Sequence, residues 1–334
     1  MRKSLPSLII DSAILLLFIM VVYVFAISES LSIIELPDSF YHLNTIFLSI
    51  LIEALPFVLI GVIIAGIIQI FITEDQLKKW IPKNKYAAVF MSCVVGGLFP
   101  ACECGIVPIV RRLISKGVPI YAGIGFLLTG PLINPIVIFS TYMAFGNDWQ
   151  IALLRMGLGF LIALVIGILI SFLFQSNQLK TSVATVSSCQ ADSGSGSQSF
   201  LDKVGKTLLH AVDEFFDMGK YLIIGAFLAS FVQVYVSTNL LVSIGEGHVA
   251  SLVVMMGLAY LLSLCSEADA FIGASFSNIF PQASILGFLI YGPMIDLKNT
   301  LMMLSVFKTR FVLIFVVIVT VTVFIMISLL QGFI

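Results

Sequence analysis

The sequence predicts an all-α polytopic membrane protein whose core is one unit present twice, the copies inserted in opposite orientations. Three observations carry this expectation. Hydrophobic residues fill 60% of the 334 positions and charged residues only 10%, giving a mean hydropathy of +1.13; a soluble domain carries about 25% charged residues. The apolar residues fall in runs long enough to cross a bilayer. A pattern of glycines and prolines around residue 130 returns around residue 292.

A span needs roughly 20 predominantly apolar residues, and 8–27, 46–72, 150–174 and 311–332 supply them. Arg2, Lys3 and the first run have the outline of a secretory signal, but the run is long for that role. Ser28-Glu29-Ser30 is also a poor cleavage site, so an uncleaved first span is expected. Residues 175–207 are rich in Gln, Ser and Thr and contain Ser193-Gly194-Ser195-Gly196-Ser197, the composition of a flexible coil. The expected organisation is a first helix and outer loop (1–44), a first copy (45–174), a cytoplasmic linker (175–207) and a second copy (208–334).

Setting 119–133 against 281–295 pairs Pro119 with Pro281, Gly125 with Gly287, Gly130 with Gly292 and Pro131 with Pro293. Asn134 then faces Asp296, and Cys102 falls opposite Cys265 after a one-residue slip. Chance explains matched Leu and Ile in apolar helices. It does not explain two prolines and two glycines in register. Internal duplication is common among transporter folds.

Orientation follows from Lys and Arg in short loops, which stay cytoplasmic. Residues 28–45 carry acids and no base, so they lie outside and the N-terminus inside. Lys78, Lys79, Lys83 and Lys85 mark the next loop as inside. A simple crossing by 87–110 would strand Arg111, Arg112 and Lys116 outside. A re-entrant hairpin removes the conflict, and Pro100, Gly105 and Pro108 suit its turn. Of the 17 Lys and Arg residues, only Arg155 and Lys298 then escape the cytoplasmic side. Equivalent loops of the second copy lose their bases or gain them, as inversion requires. The total is about seven full spans plus two hairpins, or 8–9 spans if hairpins count as crossings.

The chemistry-bearing residues cluster at the breaks, where inverted-repeat transporters place their sites. The expected breaks lie around Cys102–Gly105, around Cys265–Asp269, and at Gly130-Pro131 and Gly292-Pro293. Cys102 and Cys104 flank Glu103; two positions apart they share a ligand only if the helix unwinds. Thiolates suit soft metal or metalloid species, and two thiols make an incomplete structural zinc site, so transient capture fits them better. Glu103, Glu267, Asp269 and Asp296 sit in apolar surroundings, where a carboxylate marks a pathway or proton relay. Lys298 is close enough in sequence to neutralise Asp296. Candidate substrate-binding or coupling residues are therefore Cys102, Glu103, Cys104, Pro131, Asn134, Cys265, Glu267, Asp269, Pro293 and Asp296. Cys102 and Cys104 are also the metal candidates. Cys93 reads as an apolar filler, Glu53 and Glu214 as interfacial, and Arg111 and Arg112 as topology anchors.

The segment Phe99-Pro100-Ala101-Cys102-Glu103-Cys104-Gly105-Ile106-Val107-Pro108, with Lys116-Gly117 and Gly130-Pro131-Leu132-Ile133-Asn134-Pro135, resembles the bacterial predicted-permease family that includes the methylarsenite exporters (ArsP-like and YraQ-like permeases). The resemblance runs from about residue 45 to the end. It implies a permease, and it would make Cys102 and Cys104 the contacts of a trivalent organoarsenical solute. The expected protein is a multi-pass permease of the bacterial inner membrane, not an enzyme, with a cytoplasmic N-terminus. It moves a small solute, a soft metalloid or metal species being one candidate for efflux, by alternating access. A net charge of −1 without a basic tract points away from nucleic acid. No cofactor is expected; homo-oligomers or an accessory subunit remain open as partners. The competing readings are a membrane thiol-redox or sulfur-transfer protein using Cys102 and Cys104, and an integral subunit of a larger complex.

Overall fold

A computed structural model describes residues 38–331 except 74–75, 78–79, 83, 100, 175, 177, 181–199 and 236–246. The expected first span, most of the polar linker, Pro100 and the lysines at 78, 79 and 83 lie outside the described residues. Twelve helices build what is described: α1 (Asp38–Phe71), α2 (Lys85–Leu98), α3 (Glu103–Ser115), α4 (Ile120–Ile133), α5 (Pro135–Ala144), α6 (Trp149–Leu173), α7 (Phe200–Tyr235), α8 (His248–Leu262), α9 (Ser266–Ser275), α10 (Gln282–Met294), α11 (Leu297–Val306) and α12 (Thr309–Leu330).

Five stretches are long and apolar enough to cross a membrane: Ser39–Gln69, Ile120–Ala144, Trp149–Leu173, Glu214–Tyr235 and Thr309–Leu330. The pair α10–α11 misses that measure because the chain leaves the helix at Ile295 and Asp296. At 1.5 Å per residue, the 14 residues of α2 and the 13 of α3 each reach only about 20 Å, short of the roughly 30 Å hydrocarbon layer.

The perimeter is built for lipid. On α12, Phe311, Phe315, Val319, Val323 and Ile327 are buried, while Leu313, Val317, Val321, Ile325 and Leu329 are exposed. Both sets recur every four residues, so the helix is apolar on its inner and its outer face. In water such a surface would aggregate; in a bilayer it matches its solvent.

Side-chain contacts fix which helix ends lie together. Lys116 Nζ donates to the carbonyls of Gln69 and Ile72, joining the end of α3 to the end of α1 and satisfying carbonyls that a helix terminus leaves open. At the start of α2, Lys85 Nζ sits 3.8 Å over the Phe172 ring near the end of α6. The α2–α3 pair thus begins and ends at one end of the bundle. Phe174 against Phe311, ring centroids 4.9 Å apart, and the bridge between Leu179 and Phe307 belong to that same end. At the opposite end, Phe145, Asp148, Ser277 and Gln282 line one cavity of about 240 Å³. There Gln331 Nε2 donates to the carbonyl of His248 at 3.2 Å, placing the start of α8.

The crossing of α1 and α3 is a backbone contact. A Cβ on Gly61 would collide with the carbonyl of Gly105, and one on Gly105 would lie 2.7 Å from the carbonyl of Phe57. Only glycine at both positions lets the half-length helix sit this close.

The breaks at Gly-Pro are a correction. Pro131 lies inside α4 and Pro293 inside α10; the chain leaves the helix at Asn134 and at Ile295-Asp296. A proline removes one donor but lets the helix run on for part of a turn. The residue before a proline is what avoids the helical region, and Asn134, at φ −54° and ψ 135°, precedes Pro135. Its side-chain oxygen then accepts from the Ile136 amide at 2.9 Å and starts α5. Asp296 does the same for α11, accepting from the Asn299 amide at 2.5 Å.

Candidate functional site

Four short helices begin near the middle of the bundle: α3, α5, α9 and α11. The caps of α3 and α9 are Cys102 and Cys265, both in extended backbone and neither with a side-chain capping bond. The N-termini of both helices, with the positive ends of their dipoles, therefore meet at these two cysteines. Because Cys102 is extended and Cys104 helical, the two thiols line one cavity despite their spacing. That cavity is also lined by Glu53 and Phe57 of α1, Glu103, Cys265 and Lys298. Its free volume is about 10 Å³, near the minimum that holds one water.

Lys298 is its electrostatic centre. The ammonium lies 3.3 Å from Glu103 Oε1 and 3.8 Å from Asp296 Oδ2, and donates to the Ser263 carbonyl at 3.3 Å. The Lys298 amide donates to Ser263 Oγ at 3.0 Å. Ser263 has φ 52° and ψ 43°, a left-handed conformation that costs a non-glycine residue roughly 1–2 kcal/mol. Two bonds to one lysine hold it there. Glu103, Asp296 and Lys298 are all less than 5% exposed, and a buried charge persists only when paired in this way.

A second buried cation braces the other side of the α8–α9 break. Arg155, 1% exposed, donates to Thr141 Oγ1 at 2.6 Å and to the Ser266 carbonyl at 3.0 Å. Asp269 is equally buried, with both carboxylate oxygens lacking a hydrogen-bond partner. Oε2 of Glu103 and Oδ2 of Asp296 also accept no hydrogen bond.

The structure thus brings Cys102, Glu103, Cys104 and Cys265 to one cavity with Asp296 one residue layer away. Asn134 is a buried cap, Pro131 and Pro293 lie within helices, and Glu267 is half-buried beside Asp269. None of these four lines the cavity. Among the described residues no group of three or more His, Cys, Asp or Glu side chains is arranged to hold a metal ion, so Cys102 and Cys104 lack a complete ligand set. Cys93 is buried against Gly125, away from the cavity.

One reading from the sequence is corrected, and the expected interfacial Glu214 and topology anchors Arg111 and Arg112 gain partners. Glu53 is not interfacial: it falls mid-way along the Ser39–Gln69 span and lines the cavity. Glu214 is 3% exposed and pairs with Arg112 at 2.8 Å and Arg111 at 3.3 Å. Those arginines, expected as topology anchors, thus also tie α3 to α7 as an ion cluster. A carboxylate inside the apolar run 46–72 was the signal that pointed to Glu53. For Arg155 and Lys298 it was their standing apart from the cytoplasmic rule for bases.

A polar centre inside a bundle with a lipid-matched perimeter defines a polytopic membrane protein of the transport class. The chain belongs to the predicted-permease family ArsP_1, which it matches over residues 39–332. It is 52% identical to UPF0718 protein YcgR of Bacillus subtilis (strain 168) over 286 residues, 86% of this chain and 96% of that protein. It is 47% identical over 282 residues to a protein of Streptococcus mutans named a putative two-component membrane permease complex subunit, covering 84% of this chain and 92% of that protein. A Methanocaldococcus jannaschii UPF0718 protein is 29% identical over 124 residues, 36% of this chain and 33% of that protein. No solved structure gives a significant match.

Proposed function

We propose that the protein is an inner-membrane permease that moves a small solute by alternating access between two inverted units, 45–174 and 208–334, joined by a cytoplasmic linker. The observation that carries this reading is the small cavity where the starts of α3 and α9 meet, bridged by Lys298 and Glu103 from opposite units. A space of about 10 Å³ admits no solute, so the units must separate for one to enter. The order of elements supports the duplication: α1 to α6 and α7 to α12 each run long helix, short helix, break, half-helix, helix, break, half-helix, long helix. The ends of α2–α3 and of α8–α9 lie at opposite ends of the bundle, which supports inverted re-entrant hairpins and the N-terminus inside.

Three thiols around one cavity favour a soft solute, a thiophilic metalloid or metal species leaving the cell. The test is accumulation of phenylarsine oxide in everted vesicles, with wild type against Cys102→Ser/Cys104→Ser. The reading expects uptake that the double variant loses. Equal uptake in both would remove the thiols from the site, and a deletion strain unaltered in metalloid and metal sensitivity would argue against a thiophilic solute.

The name of the Streptococcus mutans relative favours a second feature, an accessory subunit of a two-component complex. Co-purification of one stoichiometric partner from native membranes tests it.

A further inference from the structure

Within the permease reading, the two hairpins differ at one seat. The alignment that sets Cys102 opposite Cys265 sets Ile106 opposite Asp269, and Gly130 opposite Gly292. The structure uses these residues alike. Ile106 of α3 rests its Cδ1 where a Cβ on Gly130 would be, and Asp269 of α9 rests Oδ2 2.7 Å from where a Cβ on Gly292 would be. One unit fills a tight helix–helix seat with isoleucine. The other fills the same seat with a carboxylate.

That carboxylate is held by no hydrogen bond to either oxygen, and it is 1% exposed. Arg155 of α6, the nearest cation, gives one donor to Thr141 and one to the Ser266 carbonyl, leaves its Nε–H without an acceptor, and makes no hydrogen bond to Asp269. The other charges facing Asp269 are Glu267 on its own helix, and Glu103 of α3 with Asp296 and Lys298 of α11, which are already engaged with one another. An unpaired ionised carboxylate at membrane depth costs several kcal/mol, whereas its neutral acid packs against Gly292 as the isoleucine packs against Gly130.

We propose that Asp269 carries a proton in the closed state and is the carboxylate through which this permease couples solute movement to protons. When α9 moves off Gly292 and water reaches the seat, the O–H bond breaks and the proton passes to that water. Reclosure requires another proton. The coupling inherits the permease reading; the protonation does not.

Two measurements on the full chain in liposomes separate them. Infrared spectra recorded across neutral pH show a protonated carboxylic C=O band in wild type that Asp269→Asn removes, Asp269→Glu shifts and Glu103→Gln keeps. Identical carboxylic bands in wild type and Asp269→Asn, as a structural ion pair with Arg155 would give, overturn the proposal. In the second, an imposed pH gradient drives phenylarsine oxide uptake in wild type, while Asp269→Asn retains exchange but ignores the gradient. A variant that still follows the gradient overturns the coupling. If wild type carries no phenylarsine oxide, the solute assignment fails and the infrared result still decides Asp269.

Discussion

Lys298 of α11 reaches Glu103 of α3 across 195 sequence positions, ammonium to carboxylate 3.3 Å, with less than 5% of either residue exposed. The pair joins the two halves of the chain at the cavity itself. The same lysine also restrains the left-handed Ser263 in the break between α8 and α9. One side chain therefore connects the start of α3 with that break.

Removing it should be costly. Lys298→Met leaves Glu103 and Asp296 buried without their cation, and breaking such a pair costs about 3–5 kcal/mol. Thermal unfolding in detergent is expected to fall by many degrees for Lys298→Met and to recover in part for Lys298→Met/Glu103→Gln. An additive double variant would show that the two residues do not interact.

Gly61→Ala places a methyl group against the carbonyl of Gly105, and neither backbone can yield without shifting α3. Overpacking of this kind costs about 1–3 kcal/mol. Lower yield and melting temperature are expected, and Gly157→Ala, where a Cβ meets nothing within 4 Å, serves as the silent control.

Cys102, Cys104 and Cys265 line one cavity although α3 and α9 belong to different halves. With a protease site placed in the linker at 181–199, phenylarsine oxide should hold the two fragments together on a denaturing, non-reducing gel. Cys265→Ser is expected to abolish this link and Cys93→Ser to leave it intact. Fragments that separate in the wild type would show the cavity thiols to be out of mutual reach.

Topology has its own test. Cysteines at Leu113 and Lys116 should react with an impermeant maleimide only in everted vesicles, and one at Ser277 only in right-side-out vesicles. Labelling of position 116 from outside would mean that α2–α3 crosses the membrane fully.

Much of this was legible in the residues. Charge-poor apolar runs dictate helices, because only a helix or closed barrel satisfies the backbone in lipid. The Pro and Gly punctuation pointed to within a few residues of the breaks, and the breaks collected Cys102, Glu103, Cys104 and Cys265. What misled was local sense read without partners. Glu53 reads as interfacial along the chain, yet it falls mid-way along α1 with α3 and α9 beside it. Arg155 and Lys298, the bases that stand apart from the cytoplasmic rule, are buried and bond the backbone of the α8–α9 break.

By itself the sequence determined a membrane protein with a duplicated pattern and thiols at a broken helix, since hydropathy, helix breakers and repeat register are properties of the linear chain. Only the tertiary structure decided that Lys298 belongs to Glu103 as well as to Asp296, that Cys265 shares a cavity with Cys102, and that Asp269 accepts no hydrogen bond. Pairing energies at membrane depth depend on distances between helices, and those distances are set by close contacts such as Gly61 on Gly105.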